Sequence, residues 1–419
     1  MINSSENYKE TGVDWILKIP NDWDVSRAKY LFKNKSLKNF PDEPLLSVTQ
    51  QDGVVARSDS KMNVWNPGDD VSGYKLIEPG DFVISLRSFE GGLELSDLRG
   101  LVSPAYTVLQ SIKTINDRYF RWLMKSYKFI IELNKNVTGI RQGKNISWDD
   151  FANIYLTVPH LEEQKRIARY LDIKIKKVDL LVEKIQKKIE LLKEQRSSLI
   201  EHYITKGLDP NAKMKYSGVE WIGKIPSHWE ISKYKYEITI QNGYPLKSEL
   251  FDNEIGFPII RIRDVTSGNI ETYYTGELVD THIVTNGDLL IGMDGDFNVR
   301  WWTGPKSLLN QRVCRVFEGN NYKRRYLYYL LPLQLKVIND LTYYTTVKHL
   351  SSFDILGIKT ILPPISEQKE IIKKIDKITT KQDLLIEKNN FKILKLKEYR
   401  QSMISSVVTG KVRVTEDII

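Results

Sequence analysis

A chain of 419 residues that is 41% hydrophobic and 27% charged is long enough for two ordinary domains. It contains no apolar run of transmembrane length, no signal-peptide pattern at Met1–Glu10 and a single cysteine, Cys314. These features exclude an internal disulfide framework and predict a cytoplasmic protein with a buried, inert thiol. The net charge of +9 suits a polyanionic partner without requiring one.

Followed along the chain, the elements come twice. TGVDWILKIPNDW at Thr11–Trp23 returns as SGVEWIGKIPSHW at Ser217–Trp229, an offset of 206 residues. Pro20 and Pro226 break the chain, and the tryptophans around them are expected to pack as core between a globular part and a helix. Short apolar runs bounded by Gly, Pro, Asn and Asp then predict strands and loops. PGDFVISLRSFEGG at Pro79–Gly92 matches NGDLLIGMDGDFN at Asn286–Asn298, each a Gly-Asp turn, a buried strand and a polar loop. The glycines of those loops permit close backbone approach, so Arg87, Asn298 and Arg300 are candidate DNA contacts, with an ordinary hairpin as the plain alternative. A second pair, Gly100–Leu109 and Ser307–Val316, contributes Asn310, Gln311 and Arg312, which suit bidentate contacts to bases or phosphates and serve equally as buried partners of backbone groups. Arg261 and Arg263 join them as candidates in the second copy.

The third pair, GIRQGKNISWDDF at Gly139–Phe151 and TTVKHLSSFDIL at Thr345–Leu356, places Arg141, Gln142, Lys144 and Asn145 against Lys348 and His349. Its basic and amide side chains on small residues make it the first choice for DNA contact. After it comes PHLEEQKRI at Pro159–Ile167, repeated as PPISEQKEI at Pro363–Ile371, an offset of 204. From Gln164 to Tyr203 there is no Gly or Pro, and Ile175, Val178, Val182, Ile185, Ile189, Leu192, Leu199 and Tyr203 alternate at spacings of three and four if Arg196 sits on the seam. Adding 204 gives Gln382, Ile386, Asn389, Ile393, Leu396, Arg400, Met403 and Val407. Gly207 and Gly410 are the expected stops. Two helices of roughly 60 Å are expected to pack on each other, antiparallel if the repeat is a pseudo-twofold. A coiled coil between two chains is the alternative. Each helix carries six surplus positive charges, which leaves the remainder of the chain at −3, so local clusters rather than net charge would have to hold DNA.

Catalytic signatures are missing. The five histidines are scattered, one cysteine cannot build a zinc cluster, and there is neither a phosphate-binding G-x-x-x-x-G-K-S/T loop nor an Asn-Pro-Pro-aromatic motif.

The ordered, duplicated set of W-I-x-x-I-P-x-x-W, GDLLIGMDGDFN, LLNQRV and P-x-x-x-E-Q resembles the DNA specificity subunit of type I restriction-modification enzymes over nearly the whole chain. The resemblance implies an α+β protein with mixed β-sheet cores: target recognition domains at 1–157 and 211–361, and conserved spacer helices at 158–210 and 362–419. It implies that each domain reads one half of a split sequence in double-stranded DNA. Divergent domains then predict a bipartite, asymmetric target, because identical ones would read a palindrome. It further implies no chemistry and no cofactor in this chain, which would recruit two S-adenosylmethionine-dependent adenine methyltransferase (modification) subunits and restriction subunits that use ATP and Mg. The rival readings are a coiled-coil scaffold whose basic charge is incidental and a degenerate nuclease or methyltransferase fragment.

Overall fold

The computed structural model of the protein describes residues 7–50, 52–59, 71–135, 146–341 and 348–415. It divides into two compact units, one formed by Met1–Gln186 with Asn389–Ile419 and the other by Lys187–Lys388. Both divisions fall inside a long helix, Leu161–Lys206 or Ile365–Val408, so each unit combines one globular part with a length of both helices.

Each globular part contains a four-stranded antiparallel sheet. In the first unit the order is Phe32–Lys35, Thr107–Ser111, Phe82–Ile84, Glu94–Leu95; in the second it is Ile238–Asn242, Val313–Glu318, Leu289–Gly292, Val299–Trp301. Register is kept as well as order, since Val83 lies opposite Val108 and Leu290 opposite Arg315, both displaced by 207 residues. The central strands Phe82–Ile84 and Leu289–Gly292 are buried throughout, which is why they read as unbroken apolar runs. The Gly-Asp pair before each is a turn: Gly80 and Gly287 have φ of +92° and +93°, and the Asp81 and Asp288 carboxylates accept from Glu78 N at 2.9 Å and Thr285 N at 2.8 Å. The second unit adds a five-stranded sheet in which Phe257–Ile260 runs parallel to Ser307–Leu309 among antiparallel pairs, so this sheet is mixed.

The two duplicated motifs meet inside each unit. Trp23, fully buried, donates its indole N–H to Glu163 Oε2 at 2.9 Å; Trp229 does the same to Glu367 Oε2 at 2.9 Å. The neighbouring glutamines tie the helix starts to the globular parts. Gln164 accepts from Asn116 N at 2.8 Å and donates to Pro159 O at 2.8 Å, and Gln368 accepts from Lys323 N at 2.9 Å and donates to Pro363 O at 2.8 Å. The helix ends close the same joints. Gly410 and Gly207 have φ of +73° and +78°, and a Cβ on Gly410 would lie 2.4 Å from Pro20 Cδ, one on Gly207 2.8 Å from Glu367 Oε1.

Within the first unit the helices are antiparallel, with Glu163 near Arg413 and Asp179 bonded to Arg400 at 3.0 Å. Within the second, Lys374 lies over the Tyr203 ring and Arg196 grips Asp383 with two bonds of 2.6 and 3.1 Å. Ile175, Val178, Ile189 and Asn389 are buried on the seam and Val182, Ile185, Leu192, Ile386, Ile393 and Leu396 half-buried, while Leu180, Leu181, Leu384 and Leu385 are exposed. Asp179 and Asp383 are repeat equivalents, as are Arg196 and Arg400, so one ion pair recurs in each unit with the helices exchanging roles. At this exposure such a pair contributes at most about 1 kcal/mol, so its effect is on register more than on stability.

Candidate nucleic-acid interface

The three candidate segments of the second unit, Asn286–Asn298, Ser307–Val316 and Thr345–Leu356, come to one end of its four-stranded sheet through their described residues. The strand Leu289–Gly292 runs into Met293 and Asp294, and the loop Lys348–Leu350 attaches there through Leu350 N to Met293 O at 2.7 Å and Gly295 N to Lys348 O at 3.2 Å. Met293 N also donates to Arg312 O at 3.0 Å, which sets Asn310–Arg312 alongside. Gly243 admits this crowding, because a Cβ there would fall 1.9 Å from Asn310 O.

Two concavities result, and they share Gln311 and Arg312. One, of about 600 Å³, is lined by Leu246, Phe251, Arg261, Arg263, Asn310 and Gln311 among others; the second, of about 400 Å³, by Asn242, Met293, His349, Ser351 and Ser352. Six predicted candidates, Arg261, Arg263, Asn310, Gln311, Arg312 and His349, thus line two adjoining concavities that form a groove. Arginine and amide side chains along a groove are the chemistry that grips phosphates and reads base edges. Phe353, 83% exposed, directly follows the lining residue Ser352.

The other candidates are placed differently. Arg300 bonds the Val265 and Thr266 carbonyls at the end of the short helix Ile262–Ser267, and Asn298 donates to Thr266 Oγ1 at 3.1 Å, so both are engaged in holding that helix. Lys348 donates its ammonium to Asn339 O at 2.9 Å. Of the lining residues themselves, Arg261 is the N-cap of the same short helix and leans over Phe251, and Arg263 reaches Thr272 Oγ1 and lies 3.5 Å from Glu271. In the first unit Arg87 is exposed between the strand Phe82–Ile84 and the short helix Ser88–Gly91, with its carbonyl accepting from Gln50 Nε2 at 2.9 Å. Arg141, Gln142, Lys144 and Asn145 lie outside the described residues.

The Ser and Asp shared by the third pair of segments have a local role. Ser147 with Asp150 and Ser351 with Asp354 form capping boxes on the helices Trp148–Ala152 and Ser352–Gly357, and the Ser351 hydrogen bonds hold the Asp354 carboxyl below its ordinary range. The S-x-x-D spacing carries that signal in the sequence. Asn242 was missed as a lining residue; the Asn-Gly of QNGYP marks a turn but does not say what it faces.

Among the described residues no group of three or more His, Cys, Asp or Glu could hold a metal ion, and no helix is long and apolar enough to cross a membrane. Burial pushes the Cys314 thiol up to about 12, as an unreactive core residue requires.

Comparison with known proteins gives this geometry a family. The model of the type I restriction modification DNA specificity domain matches twice, at residues 21–191 and 226–395. The EcoBI specificity subunit of Escherichia coli is 41% identical over 174 residues, covering 41% of this chain and 37% of that one. The MjaVIII specificity subunit of Methanocaldococcus jannaschii is 25% identical over 98% of this chain and 96% of its own. Among solved structures, one concerned with complex assembly and conformational transition of the type I R-M system superimposes with a TM-score of 0.72 at 15% identity, covering 94% of this chain and 99% of that one. The HsdS subunit from Thermoanaerobacter tengcongensis gives 0.51, also at 15% identity, covering 94% and 98%. With both globular parts and most of both long helices inside the two matches, the chain belongs to the type I restriction modification DNA specificity family.

Proposed function

We propose that this protein is the sequence-reading subunit of a type I restriction-modification complex and that each unit reads one half of a two-part, asymmetric DNA target. One observation carries the reading: the sheets of the two units share order and register, yet the groups at corresponding loop positions differ. Asn310, Gln311 and Arg312 stand where the first unit has Ser103, Pro104 and Ala105, and Asp294 where it has Arg87. A common frame with different hydrogen-bonding groups at one end is what two different half-sites need.

The chain itself carries out no chemistry in this reading. S-adenosylmethionine belongs to two modification subunits, and ATP and Mg to restriction subunits. The long helices supply docking surfaces, and the exposed Leu180–Leu181 and Leu384–Leu385, which are repeat equivalents, support two copies of one partner.

The test is to purify the chain with its modification subunits, expose DNA to the complex and S-adenosylmethionine, and map N6-methyladenine. A motif of two unlike halves at fixed separation is the expected result. A continuous or palindromic motif overturns the bipartite reading, and methylation by the chain alone overturns its non-catalytic role.

A further inference from the structure

In the second unit Arg312 occupies both concavities at once, and a carboxylate stands behind it. Asp294 Oδ2 lies 3.7 Å from Arg312 Nε, and Asp294 Oδ1 is 2.6 Å from His349 Nδ1. A carboxylate only accepts, so His349 Nδ1 donates its proton to Asp294. The 3.4 Å approach of Arg312 Nη1 to the same ring nitrogen is then packing and not a second hydrogen bond. Asp294 is also paired by backbone bridge to His349, so the carboxylate is fixed on two counts. Arg312 itself remains 54% exposed.

We propose that Arg312 is a specificity-determining residue that reads a guanine, and that Asp294, held by His349, is its positioning residue. The proposal rests on the DNA-reading function proposed above. Guanine presents O6 and N7 as two acceptors on one groove edge, and the guanidinium fork matches them with paired N–H groups. A phosphate-gripping arginine gains nothing from a neighbouring carboxylate, which repels the phosphate. An arginine that reads a base gains orientation from it, because the anion biases one edge of the fork inward and leaves the other for the ligand.

The first unit makes the contrast. At the corresponding positions it has Arg87 in place of Asp294 and Ala105 in place of Arg312. The strands that carry these positions are paired neighbours in both sheets, so each unit sets one arginine at the same end of the same strand pair but on the opposite strand. The carboxylate-backed arginine of the second unit is therefore not repeated in the first.

The experiment uses the complex with its modification subunits and compares the methylation motifs of the wild type, R312A, R312K and D294N, with circular dichroism as a check on folding. The expected result for R312A is a loss of preference at one position of one half-site, by about 5- to 150-fold, with the other half-site unchanged. R312K keeps the charge and the fold but loses the same preference, since an ammonium offers no paired donors. D294N relaxes that same position to a smaller degree. If R312A weakens all sites alike and lowers the salt slope of binding by about one unit with the motif intact, Arg312 is a phosphate contact and the inference is wrong. If D294N leaves the motif untouched or alters another position, the positioning role is wrong. A wild-type motif without two halves overturns the parent reading instead, and does so before any variant is made.

Discussion

Replacing Glu163 with alanine tests whether the joint between the duplicated motifs holds the first unit together. The Trp23 indole is fully buried and its N–H donates to Glu163, itself 4% exposed. Truncation leaves a buried donor without an acceptor, at about 1–3 kcal/mol, and removes a bond to a charged group. Glu163 also lies 3.3 Å from Arg413, but Arg413 is 40% exposed and keeps Asp22 at 2.7 Å, so solvent screening limits that loss to under about 1 kcal/mol. Together E163A should cost about 2–4 kcal/mol, and E163Q, whose amide oxygen can still accept, about 1 kcal/mol. The equivalent E367A should cost less, about 1–2 kcal/mol, because Glu367 is 23% exposed and water can replace it. Hydrogen exchange by mass spectrometry, read beside urea denaturation, localises the effect. For E163A, protection should fall around Trp23, the start of Leu161–Lys206 and the last turns of Ile365–Val408. A change within 0.5 kcal/mol, or equal loss of protection in the second unit, would refute the argument.

Three further outcomes follow from the same structure. G410A should lower the melting temperature by several degrees, since a Cβ meets Pro20 at 2.4 Å in a backbone conformation with φ of +73°, a combination costing more than about 1 kcal/mol. D179R should destabilise the first unit's helix pair by about 1 kcal/mol, and D179R with R400D should restore most of it in a double-mutant cycle. Burial raises the Glu94 carboxyl to about 7 despite Lys125 at 2.6 Å. The native state therefore holds a proton that the unfolded chain releases, and this group's contribution falls as pH rises from about 4.5 to about 7, by roughly 3 kcal/mol in all. E94Q should flatten the stability–pH profile in that window; an unchanged slope would contradict the burial argument.

The long helices were legible because forty residues without Gly or Pro, carrying a three-four alternation, admit few other structures. The duplicated tryptophan and Glu-Gln motifs were legible as repeats, but not as partners. Nothing in the sequence says that Trp23 and Glu163 touch across 140 residues, because repetition reports likeness and not proximity. Sheet class followed from apolar runs between turn residues, whereas strand order depended on pairings between distant segments. The groove was half legible for the same reason. Residue type nominated Arg261, Arg263, Asn310, Gln311, Arg312 and His349, which line the concavities, and equally Arg300 and Asn298, which bond the end of a short helix. A guanidinium satisfies a carbonyl as well as a phosphate, and only the fold decides which is near. The Ser-x-x-Asp pairs carry a second, local signal in the same segments, because they cap short helices.

The first unit draws Met403, Ile404 and Val407 into the same core as Trp15, Trp23 and Phe32, while every residue of the second unit lies between Lys187 and Lys388. Synthesis is vectorial, so the first unit, although begun first, cannot close its core until the second has been made in full. At roughly 5–20 residues per second, the segment carrying Trp23 waits some 20–80 s for Ile404 to be made. During that interval the second unit can complete its core and the first cannot. A ribosome that stalls shortly before Asn389 therefore releases a finished second unit tethered to an open, apolar N-terminal part, the kind of surface that chaperones retain and proteases cut.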